Sequence, residues 1–299
     1  MTSPILEASN ASHPAAALPR IQPFRAVAPA ERERHLRSYL EHLRSRDGEI
    51  DWQGWRLPQR DAADAALRDA TIAWRGRLDR DAFYQLVHGV GAPETDLRTL
   101  WAAFLAMANE GERFGVLSEV KKLRRQGAAA DPIQVYHVLQ EESHTALLLE
   151  ALRAVGLPGV RFCRPRALYR GLIWPMAWFP DSLRYVLVLV GEALGCVVLR
   201  KLLEQCHLFA DASGTDAYLR SLLTTILYDE RLHVVHCRAR VGPIGAAAAA
   251  ALASVAARIV EFTWPQIRRL GLDRAAIARG LREGIEVPPG LPWALDDRT

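Results

Sequence analysis

Glu112, Glu141, His144, Glu192, Glu230 and His233 form a doubled pattern of metal-binding side chains. Gly-Glu-x-x-Gly at 111–115 precedes Glu-x-x-His at 141–144, and the same pair recurs at 191–195 and 230–233. Residues three apart on a helix share a face, so the Glu and His of each Glu-x-x-His reach one site together. One Glu from each of two helices, with a Glu-x-x-His from each of two others, is the donor set with which a four-helix bundle holds two iron or manganese ions. Carboxylates bridge two cations and offset their charge, and imidazole suits iron. The glycines beside Glu112 and Glu192 are expected to let neighbouring helices approach closely.

The elements that must carry these residues are amphipathic or wholly apolar helices. Over 216–240, Leu219, Leu222, Leu223, Ile226, Leu227, Val234 and Cys237 make one stripe, and Glu230 and His233 point into it. In 185–199 Glu192 is the only charged residue of an apolar run. A carboxylate so buried is costly unless paired or metal-bound. Trp101, Phe104, Leu105, Ala108 and Gly115 mark the inner stripe of the first core helix, and Glu112 falls on it. Glu110 lies about 180° from Trp101 around that helix and is rejected, while Glu119 shares the stripe two turns further on and is the alternative to Glu112. On the second helix Ile133, His137, Glu141, His144 and Leu148 align. Glu142 has Thr145 three residues on and cannot form a Glu-x-x-His pair. His137 is an additional ligand, a hydrogen-bonding residue behind the ligands, or a packed histidine. His236 falls off the inner stripe and is not expected to ligate.

The chain of 299 residues, half of them hydrophobic, reads as all-α. Residues 1–28 read as a flexible segment, 29–286 as one helical domain with the metal-binding core at 96–240, and 287–299 as a tail. Pro29 opens a helix to about Arg46, a loop covers 47–60, and helices follow at 61–76 and Asp79–His88. The first core helix runs from Pro93 to about Gln126. Asp131 and Pro132 open the second, which stops at Gly156-Leu157-Pro158. A Pro-rich connection over 157–181 includes the aromatic run 168–180, read as a covering crossover or a pocket wall. Asp181 caps the third core helix, to about Phe209, and Gly214-Thr215-Asp216 precedes the fourth. Pro243 opens an Ala-rich helix at 243–262, and Asp273 caps a last short one.

The net charge of +4 is modest, and its basic residues are scattered apart from Lys121–Arg125 at a helix C-terminus, where cations complement the helix dipole. Nucleic acid is therefore not an expected partner. Cys163, Cys196, Cys206 and Cys237 form no Cys-x-x-Cys pair, and the N-terminal segment lacks the pattern of a secretion signal. A reduced, cytoplasmic setting is expected. The uninterrupted apolar runs are shorter than the roughly 20 residues that span a bilayer.

The doubled Glu, Glu-x-x-His order over about 112–236 resembles the ferritin-like di-iron-carboxylate superfamily. That resemblance implies a ferritin-like four-helix bundle with additional N- and C-terminal helices. It also implies a pair of iron ions, Fe/Fe or Mn/Fe, that activates O2. Length and helical embellishment are similar to the p-aminobenzoate N-oxygenase group. That group carries His-x-x-x-Glu-x-x-His on its fourth core helix. Here Ile226 takes the place of that histidine, and His137-x-x-x-Glu141-x-x-His144 puts the spacing on the second helix. Thr145 and Val234 depart from the acyl-carrier-protein desaturases, and Leu148 stands where ribonucleotide reductase small subunits keep a tyrosine. The resemblance implies an oxygenase that oxidises a small organic substrate by N-oxygenation, hydroxylation or desaturation. Its electrons are expected from a separate donor, since no flavin or nicotinamide fingerprint is present. A homodimer is compatible with the class. The alternatives are a metal-handling ferroxidase or manganese-catalase-like protein of the same fold, and a non-catalytic helical interaction protein.

Overall fold

The structure, a computed structural model, describes residues 19–69, 78–87, 94–157, 159–160, 171, 173–211 and 213–288. Nine α-helices of eight or more residues are present among them: α1 (Pro29–Asp47), α2 (Pro58–Arg68), α3 (Arg80–Val87), α4 (Leu97–Gln126), α5 (Pro132–Ala154), α6 (Asp181–Glu204), α7 (Thr215–Arg240), α8 (Pro243–Thr263) and α9 (Arg274–Glu283). Among the described residues the fold is all-α apart from an isolated bridge between Asp51 and Arg56 and a two-residue antiparallel pair, β1 (Arg20–Ile21) with β2 (Ile285–Glu286), in which Arg20 faces Glu286 and Ile21 faces Ile285. Arg20–Ile21 lies within the segment read from sequence as flexible. Its pairing is backed by burial of Ile21 and Val27 and by the Arg20–Glu286 ion pair. Residues 1–18 of the expected flexible segment and 289–299 of the expected tail lie outside the described residues, as do residues 70–76 of the expected helix 61–76, Cys163 and much of the expected 157–181 connection.

Four long helices carry the core. α6 packs along α7, α4 along α5, and α5 against α7, which joins the two pairs. The Trp101 indole nitrogen donates to the Leu202 carbonyl at 3.1 Å and the Trp101 ring meets Phe209 edge-on, tying α4 to the end of α6. On α7, Leu219, Leu222, Leu223, Ile226, Leu227 and Val234 are buried, as their spacing predicts. Each such side chain contributes roughly 1.5–3 kcal/mol by leaving water. α1 crosses α5 and α7, and α2 rests on α5, so the two N-terminal helices lie over the α5–α7 side.

Helix ends follow their capping chemistry, with two corrections. The Asp131 carboxylate accepts from the Ile133 amide and the Asp273 carboxylate from the Ala276 amide, as expected. α4 begins at Leu97, not Pro93, because the Asp96 carboxylate accepts from the amides of Arg98 and Thr99. It ends at Gly127, whose φ of 57° is left-handed and suits glycine. α6 is not capped by Asp181. Pro180 holds the cap position, and the Asp181 side chain is drawn to Lys122 and Arg184.

α8 is 21 residues long and apolar enough to cross a membrane by length and composition. Arg258 and Glu261 interrupt its apolar run. Ala246, Ala249, Ala253 and Ala257 form its buried stripe, packed on α6 and α9, while Ile244 and Phe262 are exposed.

Candidate metal centre

α4, α5, α6 and α7 each send ligand-type side chains to one place. Single ligand atoms of Glu141, Glu192, Glu230 and His233 lie within 4.8 Å of one another. His233 Nδ1 stands 2.9 Å from Glu141 Oε1 and 3.6 Å from Glu192 Oε2. His144 Nδ1 stands 3.0 Å from Glu230 Oε1 and 3.5 Å from Glu141 Oε2. Glu112 has Glu141, His144, Glu192 and His233 as its charged neighbours. Glu141 thus faces both imidazoles.

Several of these atoms fit cations better than they fit one another. Glu112 Oε2, Glu141 Oε1, Glu230 Oε1, His144 Nδ1 and His233 Nδ1 are all buried and make no hydrogen bond. Close approach without hydrogen-bond geometry means that they converge on common points. Buried carboxylates and imidazoles without such partners are costly unless they are paired or bind a metal. The mixed oxygen and imidazole donors suit iron or manganese.

The metal-free charges are accordingly perturbed. Burial and the neighbouring Glu141 carboxylate push Glu112 up to about 8. Burial, with Glu141 and Glu192 beside it, raises Glu230 well above the carboxylate range. Burial would raise Glu141 too, but the two imidazoles outweigh it and hold Glu141 down at about 2. Burial opposes protonation of His144, yet Glu141 and Asp229 raise it to about 10. His233, likewise opposed by burial, is raised to about 9 by Glu141 and Glu192. Without a metal, the neighbouring carboxylates favour the protonated form of His144 and His233.

Phase distinguishes the acidic residues of α4. Glu110 is buried, but its charged neighbour is Arg113 and no site residue, and burial raises it to about 7. Glu119 is engaged by the Arg184 guanidinium at 2.6 Å, which accounts for a carboxylate on the inner stripe without a metal. The expectation that glycines bring helices together is not met at Gly115 or Gly191, where a Cβ would meet nothing within 4 Å, while one on Gly195 would touch Glu230 Oε2 of the neighbouring helix at 3.6 Å. These glycines leave room beside the carboxylates.

His137 lies against the centre. Its ring is 4.1 Å from that of His233 between centroids, and its Nε2 is 2.8 Å from the Tyr39 hydroxyl. It is not among the four converging ligand residues. His236 is fully buried, contrary to its expected outward phase. It packs against His35, Tyr39, His137 and Tyr185, one turn beyond His233 and outside the converging group.

The residues that hold the imidazoles lie outside the Glu-x-x-His spacing. His144 Nε2 is 2.8 Å from Asp229 Oδ2, and His233 Nε2 is 2.8 Å from Gln140 Oε1. Asp229 also binds Arg46 Nη1 and Arg60 Nη2, each at 2.7 Å. The available signal was positional, since Gln140 and Asp229 each immediately precede a site glutamate. Arg46, Asp47 and Arg60 gave none, because α1 and α2 are remote in sequence. The aromatic run keeps a described part at Trp174–Trp178. Trp174 lies 5.7 Å from the Phe114 ring, and Lys121 sits over Trp174 and Trp178. Cys196, Cys206 and Cys237 are free and buried. Compared with family models, curated proteins and solved structures, the chain matches none.

Proposed function

We propose that the protein is a ferritin-like, non-haem di-iron oxygenase that uses O2 to oxidise a small organic substrate. The observation that carries this reading is the convergence of Glu141, Glu192, Glu230 and His233, joined through Glu141 and Glu230 by His144 and accompanied by Glu112. Four carboxylates and two neutral imidazoles match the charge of two divalent ions. Glu141, set between the imidazoles, is placed to share both. Bound iron would supply electrons to O2, chemistry that no side chain performs alone.

The protein's own contribution is positional. Asp229 and Gln140 orient the imidazoles from behind, so that each Nδ1 faces the carboxylates. Leu189, Ala193, Ile226 and Leu227, within about a turn of Glu192 and Glu230 along α6 and α7, are buried, so these glutamates are set in apolar stretches of their helices. The carboxylates of Glu141 and Glu192 keep 16% of their side-chain surface exposed, whereas the two imidazoles keep 1% or less. Substrate and O2 are therefore expected to approach from the carboxylate side. The test is anaerobic loading with Fe(II), followed by mixing with O2 under optical and Mössbauer observation. A coupled iron pair that consumes O2 is expected. Growth of a mineral core without oxidation of any organic substrate would favour a ferroxidase instead.

A further inference from the structure

We propose that Asp47, at the end of α1, is a positioning residue for the metal centre: through Gln140 it sets which ring nitrogen of His233 faces the metals. The inference rests on the di-metal reading above and extends it to helices outside the four-helix core.

The chain of contacts is continuous. His233 Nε2 meets Gln140 Oε1 at 2.8 Å, and Gln140 Nε2 donates to Asp47 Oδ2 at 2.6 Å. Both Asp47 and Gln140 are 1% exposed, so water does not compete for these bonds. A carboxylate only accepts, so Asp47 commits the Gln140 amide group to itself and leaves the amide oxygen for the imidazole. That oxygen also only accepts. His233 must then carry its proton on Nε2, and in the neutral ring Nδ1 is the bare nitrogen. Nδ1 is the atom that faces Glu141 and Glu192. Without the Asp47 carboxylate the amide is free to turn end for end. Its NH2 would then face Nε2, the ring proton would move to Nδ1, and the ligating lone pair would point away from the metals.

Two arginines hold Asp47 in this role. Arg46 Nε and Nη2 bind it at 2.8 and 2.6 Å, and Arg60 Nη1 stands 3.5 Å away. The same arginines bind Asp229, which orients His144 directly through its own carboxylate. The centre thus uses a carboxylate behind one imidazole and a carboxylate acting through an amide behind the other. Only the second requires an outside residue to choose its orientation, and Asp47 is that residue.

The test uses zinc as a diamagnetic probe of the full-length protein, with 15N-labelled histidine observed by NMR and affinity read by chelator competition. Wild type is expected to bind two Zn(II), with His233 protonated at Nε2 and coordinated through Nδ1. Asp47→Ala, which removes the acceptor, is expected to weaken one of the two ions by roughly 10–100-fold and to alter the His233 signals while leaving those of His144 coordinated. Asp47→Ala with two ions at wild-type affinity and an unchanged His233 spectrum would overturn the proposal alone. Wild type that takes up no Zn(II) would overturn the di-metal reading and the proposal with it. Should Asp47→Ala not fold, the wild-type spectrum still decides, because coordination of His233 through Nε2 contradicts the proposal and coordination through Nδ1 supports it.

Discussion

Gln140 and Asp229 do the same job from opposite helices. Each immediately precedes a site glutamate, and each binds Nε2 of the imidazole on the other helix, at 2.8 Å in both cases. The crossed arrangement locks α5 to α7 at the centre. It also explains how two Glu-x-x-His turns can aim both Nδ1 atoms at one place.

Asp229 is buried between Arg46, Arg60 and His144, so its removal takes a buried partner from three groups at once. Asp229→Ala is expected to destabilise the metal-free protein by about 3–5 kcal/mol, the usual effect of breaking a buried ion pair from one side. Urea denaturation measures this. A loss below about 1 kcal/mol, the range of exposed pairs, would show that the network is solvated.

Glu112→Ala is expected to abolish binding of one metal ion and the reaction with O2. Glu110→Ala is expected to retain both, because Glu110 has no site residue among its charged neighbours. Metal analysis of the two variants distinguishes them. Equal damage from both would contradict the phase assigned to α4.

The four long helices and the cluster of Glu141, Glu192, Glu230 and His233 were legible because periodicity and spacing are local properties. The apolar stripe of α7 and the caps at Asp131 and Asp273 are found as expected. What was not legible depends on distant partners. Asp47 and Arg60 reach the centre only because α1 and α2 lie over α5 and α7, and no spacing within α1 or α2 reports that. His236 was misplaced because helical phase assumes one buried face, whereas α7 is covered by α5, α6 and α1 together. Glu119 lay on the right stripe but has Arg184 as its partner, a contact between residues 65 apart.

The pH dependence of the metal-free protein follows from its imidazoles. His144 and His233 are raised to about 10 and about 9 from an ordinary 6.5. The folded state binds the extra protons, so their stabilisation is complete below pH 6.5 and is lost as pH rises through 9 to 10. Glu112, raised to about 8, adds a change of the same sign. The melting temperature of metal-free protein is expected to fall steadily across this window. Metal uptake, which needs bare Nδ1 atoms, is expected to strengthen across it. A metal-free melting temperature that rose with pH would contradict the protonated imidazoles.

His137→Ala removes the ring packed at a tilt against His233 and the partner of the Tyr39 hydroxyl. Two metal ions are expected to remain, with the rate of the O2 reaction altered by roughly 10–100-fold. Stopped-flow absorption measures that rate. Loss of one ion would make His137 a ligand, and an unchanged rate would leave it a packing residue.

The central claim is that this chain holds two redox-active ions between α4, α5, α6 and α7. Its most direct test is iron analysis with Mössbauer spectroscopy after anaerobic Fe(II) loading and exposure to O2. Two iron ions per chain with the spectrum of a coupled diferric pair are the expected result. One isolated iron per chain, or none, would contradict the claim.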